Sequence, residues 1–79
     1  MKLIGIIGAM EVEVASLKEM MTDVTIRTKA SMEFNHGYLN GKEVVVVRSG
    51  IGKVNAGICT QILVDDYGVD CVINTGIAG

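Results

Sequence analysis

The sequence predicts an α/β protein, a three-layer α/β/α arrangement around a mixed sheet, and three observations predict it. Continuously apolar runs at 3–7 and 44–47 read as strands covered on both faces. Each run hands over, through glycine, to a segment with helical spacing of its apolar residues. A third run, 69–74, ends the same way at Thr75-Gly76-Ile77-Ala78-Gly79. Junctions of this kind are where open α/β sheets bind ligands, so the three strand ends are expected to line one site.

Leu3-Ile4-Gly5-Ile6-Ile7 is expected as a central strand that Gly8 ends with its backbone freedom. Met10, Val14, Leu17 and Met21 then recur at i, i+4, i+7 and i+11, which predicts a helix to about Thr22. Val24, Ile26 and Thr28 alternate with Thr25, Arg27 and Lys29, the pattern of a strand with one wet face, placed near a sheet edge. Met32, Phe34, His36 and Tyr38 alternate as well. Asn40-Gly41 favours a type I′ turn, so this strand and the 44–47 run are predicted to form a hairpin. Val54, Ile58 and Ile62, with Ala56, Cys59 and Leu63 beside them, predict a second helix to about Tyr67, closed by Gly68 in the left-handed region. The order is strand, helix, three strands, helix, strand, with no internal repeat or linker.

Seventy-nine residues, 49% of them hydrophobic, suit one small packed domain and exclude a disordered chain. A net charge of -2 and a pI near 5.2, without a cluster of Lys or Arg, give no footprint for nucleic acid or an anionic membrane. No apolar run approaches the roughly 20 residues of a membrane span, and the start of the chain is too short in apolar residues for a secretory signal. Cys59 and Cys71 lack the spacing of a zinc or redox motif, so reduced thiols in a cytoplasmic protein are expected. The sequence stops at Gly79 inside the third strand-to-loop transition. Residues 1–79 are therefore expected to be the N-terminal portion of a longer single domain.

Glu13 stands out among the polar residues. With Met10 at zero on a helical wheel, Glu13 falls at roughly -60°, between Leu17 at roughly -20° and Met20 at roughly -80°, while Glu11 falls outside the apolar arc. Burial raises a carboxyl pKa towards that of a neutral-range proton acceptor, and the positive end of a helix lowers it; the two effects oppose. The plainer reading is that acids simply favour first helical turns. Gly50-Ile51-Gly52-Lys53-Val54 is not a P-loop, because Val54 stands where Ser or Thr is needed, and no Gly-x-Gly-x-x-Gly is complete. Arg48 and Lys53 flank that turn and are candidates to meet an anion, although such residues are usually solvated. His36, among aromatic neighbours, reads as packing or surface hydrogen bonding. Asn74 and Thr75 read as partners for loop backbone groups.

Three segments, Gly5-Ile6-Ile7-Gly8-Ala9-Met10-Glu11-Val12-Glu13-Val14, Ser49-Gly50-Ile51-Gly52-Lys53-Val54-Asn55-Ala56 and Ile73-Asn74-Thr75-Gly76-Ile77-Ala78-Gly79, together closely resemble the 5′-methylthioadenosine/S-adenosylhomocysteine nucleosidases. These belong to the purine nucleoside phosphorylase-like superfamily and are substantially longer. The resemblance implies the N-terminal part of a phosphorylase/hydrolase-like fold. It also implies cleavage of the N-glycosidic bond of 5′-thio-substituted adenosines by water, releasing adenine in methionine salvage, with no metal or organic cofactor and with a homodimer as the assembly. An oxocarbenium-like transition state asks for a carboxylate to activate water and an acid to protonate the purine, the two-carboxyl logic of inverting glycoside hydrolysis.

By the same resemblance Glu13 matches the water-activating glutamate. Met10 and Ile51 match apolar positions that wall the ribose and 5′-thio side, Ala9 matches a substrate-binding position, and Ile77, Ala78 and Gly79 match the loop whose backbone approaches the substrate. Many relatives have serine where Ile77 stands, so no side-chain hydroxyl contact is expected there. The purine-protonating acid and the ribose-binding glutamate have no counterpart in these 79 residues, so the chain alone is expected to be inactive. A phosphate-dependent nucleoside phosphorylase is the nearest rival, disfavoured because Glu11 and Glu13 would repel an anionic nucleophile. A non-catalytic binding or assembly fragment is the rival from another class.

Overall fold

The computed structural model describes residues 2–8, 11–29, 31–48 and 53–74, with the backbone alone at 11, 13 and 53–56. In chain order these form β1 (Ile4–Gly8), α1 (Glu11–Met20), β2 (Met21–Lys29), β3 (Met32–Leu39), β4 (Lys42–Arg48), α2 (Lys53–Ile62), a π-helical turn (Leu63–Tyr67) and β5 (Cys71–Asn74). The strands make one five-stranded sheet in the order β2-β3-β4-β1-β5. Its β1 is parallel to β4 on one side and to β5 on the other, while β2, β3 and β4 follow one another antiparallel. The sheet is thus mixed, as expected, with β1 in its interior and β2 on its edge; β2 is wetter than expected, because beyond Met21 and half-buried Val24 both of its faces are exposed, Ile26 at 52%, with no described element covering the edge.

Alternation along the strands explains the three layers, because successive side chains point to opposite faces. Ile6, Val44 and Val46 face one way and meet Val14 of α1 and Met21, with Leu17 packed beside them. Ile7, Val45, Val47, Met32 and Phe34 face the other way and meet Cys59 of α2 and Leu63. Since each helix follows its strand onto a different face, β1 and β4 are buried from both sides. That burial is why their sequences show no polar alternation.

Local chemistry fixes the turns. Asn40 and Gly41 both have positive φ, 52° and 79°, the signature of the predicted type I′ hairpin. Gly68 adopts φ 65° and donates its N–H to Val64 O, closing the helical segment where expected. The first helix ends at Met20, two residues before the expected boundary. Met21 keeps its buried role from a strand instead, since as the first residue of β2 it reaches the same core beside Ile6. A register shift between Thr22 and Thr25, with Asp23 at φ 54°, then twists β2 onto β3. Gly37 accommodates that irregularity, because a Cβ there would lie 2.8 Å from Thr22 O.

The last strand also starts later than the apolar run suggested, at Cys71. Asp70 instead clamps the start of β1: its N–H donates to Leu3 O at 2.7 Å, and its Oδ2 accepts from Leu3 N–H at 2.8 Å.

Candidate functional site

The three strand ends singled out in the sequence are neighbours in the sheet. Gly8 pairs with Arg48 and Ile7 with Asn74, so the carboxyl ends of β4, β1 and β5 finish level and side by side. At about 4.8 Å between strands they span roughly 10 Å, the width of a small ligand. From β1 the chain reaches β4 on one side, and from β4 it crosses to β5 on the other, with α1 and α2 on opposite faces. Strand order therefore reverses at β1, and the crevice outside the carboxyl ends at such a reversal is the expected binding place in this class of sheet. The N-termini of α1 and α2 face the same edge, where helix dipoles favour negative charge.

Glu13 belongs to the first turn of α1, immediately beyond this edge, and its side chain lies outside the described residues. Ala9, Met10, Ile51, Ile77, Ala78 and Gly79 also lie outside them. Around Glu13 the helix is resolved into faces: Val14 is buried and Leu17 half-buried, whereas Met20 is 61% exposed. The apolar arc expected to reach Met20 thus stops at Leu17.

The described part of this edge holds a cleft of about 330 Å³ between α1 and the β3–β4 ladder, with Val14, Ala15 and Lys18 on one wall and Glu33, Asn35 and Arg48 on the other. Arg48, marked in the sequence as a flank of the glycine turn, is the last residue of β4. Asn35 is 1% exposed; its Nδ2 donates to Val46 O at 3.0 Å, and its buried Oδ1 has no hydrogen-bond partner among the described residues. An unsatisfied buried acceptor costs about 1–3 kcal/mol, so a polar side chain here is not explained by packing. The sequence reading passed over Asn35, Lys18 and Glu33. A signal for Asn35 was present, because the Asn40-Gly41 turn fixes the hairpin register and places Asn35 opposite Val46, in the middle of an apolar run.

Away from the strand ends, His36 behaves as its aromatic surroundings suggested. Its Nε2 lies 2.6 Å from Glu43 Oε2, and its ring meets the edge of Tyr67, which in turn stacks on Phe34. Cys59 and Cys71 are free thiols; burial pushes the Cys59 thiol up from 9.0 to about 11, so it stays protonated and unreactive near neutrality. No helix among the described residues is long and apolar enough to cross a membrane.

Residues 3–79 match the sequence profile described as the phosphorylase superfamily, which covers nearly the whole chain. The chain belongs to this superfamily. Within the phosphorylase superfamily it is similar to the 5′-methylthioadenosine/S-adenosylhomocysteine nucleosidase of Shewanella loihica, at 59% identity over 96% of the chain and 33% of that relative. Among solved structures it superposes on the nucleosidase of that name from Colwellia psychrerythraea in complex with adenine, with a TM-score of 0.92 and 54% identity over 99% of this chain and 32% of the other. The Neisseria meningitidis nucleosidase in complex with methylthio-immucillin-A superposes with a TM-score of 0.90 at 43% identity, over 96% and 33% of the two chains. The chain spans about a third of the length of these relatives.

Proposed function

We propose that these 79 residues form the N-terminal portion of a single nucleosidase domain. In the whole protein that domain hydrolyses the N-glycosidic bond of 5′-methylthioadenosine and S-adenosylhomocysteine, with release of adenine. The observation that carries this reading is the level alignment of the β1, β4 and β5 carboxyl ends, the edge to which the three nucleosidase-like segments of the sequence belong. Similarity to nucleosidases crystallised with adenine and with methylthio-immucillin-A supports the substrate class.

In this reading Glu13, at the start of α1, positions a water molecule and takes its proton as the water attacks the ribose carbon. The glycosidic electron pair leaves with the purine, which is protonated by an acid from the remainder of the protein. Met10 and Ile51 wall the ribose and its 5′-thio group, Ala9 contacts the substrate, and the backbone of Ile77, Ala78 and Gly79 approaches it closely. The assembly is a cytoplasmic homodimer.

The test joins this chain to the remaining two thirds of the Colwellia psychrerythraea enzyme and measures adenine release. Glu13→Gln keeps the shape of the side chain and removes the base. Turnover is expected to fall by about 10³-fold or more, with binding of a substrate analogue largely retained. Near-normal turnover would remove Glu13 from the mechanism. Strict dependence on added phosphate would replace hydrolysis by phosphorolysis.

A further inference from the structure

We propose that Asn40, at the tip of the β3–β4 hairpin, is a site of spontaneous deamidation whose isoaspartyl product loosens the hairpin and whose aspartyl product leaves it intact. The tip lies at the amino end of β4, away from the strand ends described above, and the inference stands without the nucleosidase reading.

The reaction needs only water. The backbone nitrogen of Gly41, giving up its proton, bonds to Cγ of Asn40; the Cγ–Nδ2 bond breaks, and ammonia leaves with that proton, closing a succinimide ring. Water then adds to one of the two ring carbonyls, the C–N bond there breaks, and the nitrogen regains a proton. Breaking the bond to Cγ gives aspartate on a normal backbone. Breaking the bond to the backbone carbonyl carbon gives isoaspartate, with the chain routed through the side chain.

A Cβ on the following residue hinders the attack. Asn35, Asn55 and Asn74 precede histidine, alanine and threonine, and Asn40 alone precedes glycine. Asn35 is also buried, with Nδ2 donating to Val46 O. Asn40 and Gly41 are both exposed, and a Cβ added at Gly41 would meet nothing within 4 Å. Lys2 and Lys42 border the same open hollow as Gly41, about 410 Å³ in volume, and favour the negative charge that passes from the attacking nitrogen to the amide oxygen. Glu43, also on that hollow, opposes them, but its Oε2 is engaged by His36.

The fold restrains this chemistry. Asn40 is left-handed at φ 52°, and in a type I′ turn that conformation points the Gly41 nitrogen away from the Asn40 side chain. Ring closure therefore waits for the tip to open, against the pairing of Leu39 with Lys42 and of Tyr38 with Glu43. The two products then part ways. Aspartate visits the left-handed region as asparagine does, so the two-residue loop persists. Isoaspartate adds one backbone atom to that loop, so the adjoining pairs slip, and the 2.6 Å contact of His36 with Glu43 across the same ladder is lost with them.

The experiment incubates the full chain at mildly alkaline pH, with and without urea above its unfolding midpoint, and follows the four asparagines by peptide mass and isoaspartate detection. Asn40 is expected to convert first in both conditions, and about ten-fold or more faster in urea than in the folded chain. The separated isoaspartyl form is expected to unfold at about 1 M less urea than the unmodified chain, while Asn40→Asp keeps the original midpoint. Should the chain alone lack a cooperative transition, the hybrid enzyme carries the same measurements. No conversion at Asn40, or earlier conversion at Asn35, Asn55 or Asn74, would overturn the site. Equal rates in and out of urea, or an isoaspartyl form as stable as the unmodified one, would overturn its coupling to the hairpin.

Discussion

On the α2 face of the sheet, Ile7, Phe34, Val45 and Val47 meet Cys59 and Leu63 in an apolar layer, capped by the stacking of Tyr67 on Phe34. One residue along the same strands, on the α1 face, Asn35 lies buried beside Val46 with an acceptor unsatisfied among the described residues, and Lys18, Glu33 and Arg48 line an open cleft. Both faces share a backbone and a register, so the contrast comes from side chains alone. A sheet buried on both sides can put its cohesion on one face and keep the other open for polar groups near the strand ends. The α2 face should therefore be costly to cut at Phe34, and the α1 face cheap at Asn35, where the cleft interrupts the apolar cluster of Ile6, Val14 and Val46.

Phe34→Ala tests the first half and should have the largest effect. Removing a fully buried ring costs about 3–5 kcal/mol, readable as a lowered midpoint in urea denaturation. A loss under about 1 kcal/mol would mean the α2 face is not the main source of cohesion. The Cys59 thiol probes the same face by titration. Its pKa is raised by burial from 9.0 to about 11, so the folded form holds its proton where the unfolded form has lost it. Stability is thus fully present below pH 9 and falls as pH rises through 11, by about 2–3 kcal/mol at most. Cys59→Ala should flatten that part of the pH profile. In the same experiment, exposed Cys71 should react with a thiol reagent at neutral pH well before Cys59.

Gly37→Ala should cost about 1–3 kcal/mol, because the added methyl meets the backbone carbonyl of Thr22 rather than a movable side chain. The smallest effect is expected on the α1 face. Asn35→Leu exchanges a half-satisfied amide for an apolar group of similar size, and stability should change by less than about 1 kcal/mol. A loss matching that of Phe34→Ala would erase the distinction between the faces.

Much of this was legible in the residues. The unbroken apolar runs at 3–7 and 44–47 gave the two interior strands, and Asn40-Gly41 and Gly68 gave the turns, because in each case local sequence and tertiary environment ask for the same conformation. The start of β2 at Met21 was not legible. Met21 satisfies a helical stripe and a strand face equally well, and only the sheet decides between them. The π-helical turn before Gly68 was not legible either; it carries Leu63, which packs over Gly5, where a Cβ would lie 2.9 Å from Leu63 Cδ1. At the candidate site, the glycine turns and Glu13 could be singled out by spacing. The polar wall could not, since Lys18, Glu33 and Arg48 each look like ordinary surface charges until the hairpin and α1 are set side by side.

The level finish of β4, β1 and β5 has a consequence for how such a protein changes over generations. Pairing along those strands is held by residues lower in the sheet, including the Leu3–Asp70 clamp at the opposite edge. Each connecting segment at the rim can then be rewritten independently, and a new specificity can arise in one of them without disturbing the footing of the other two.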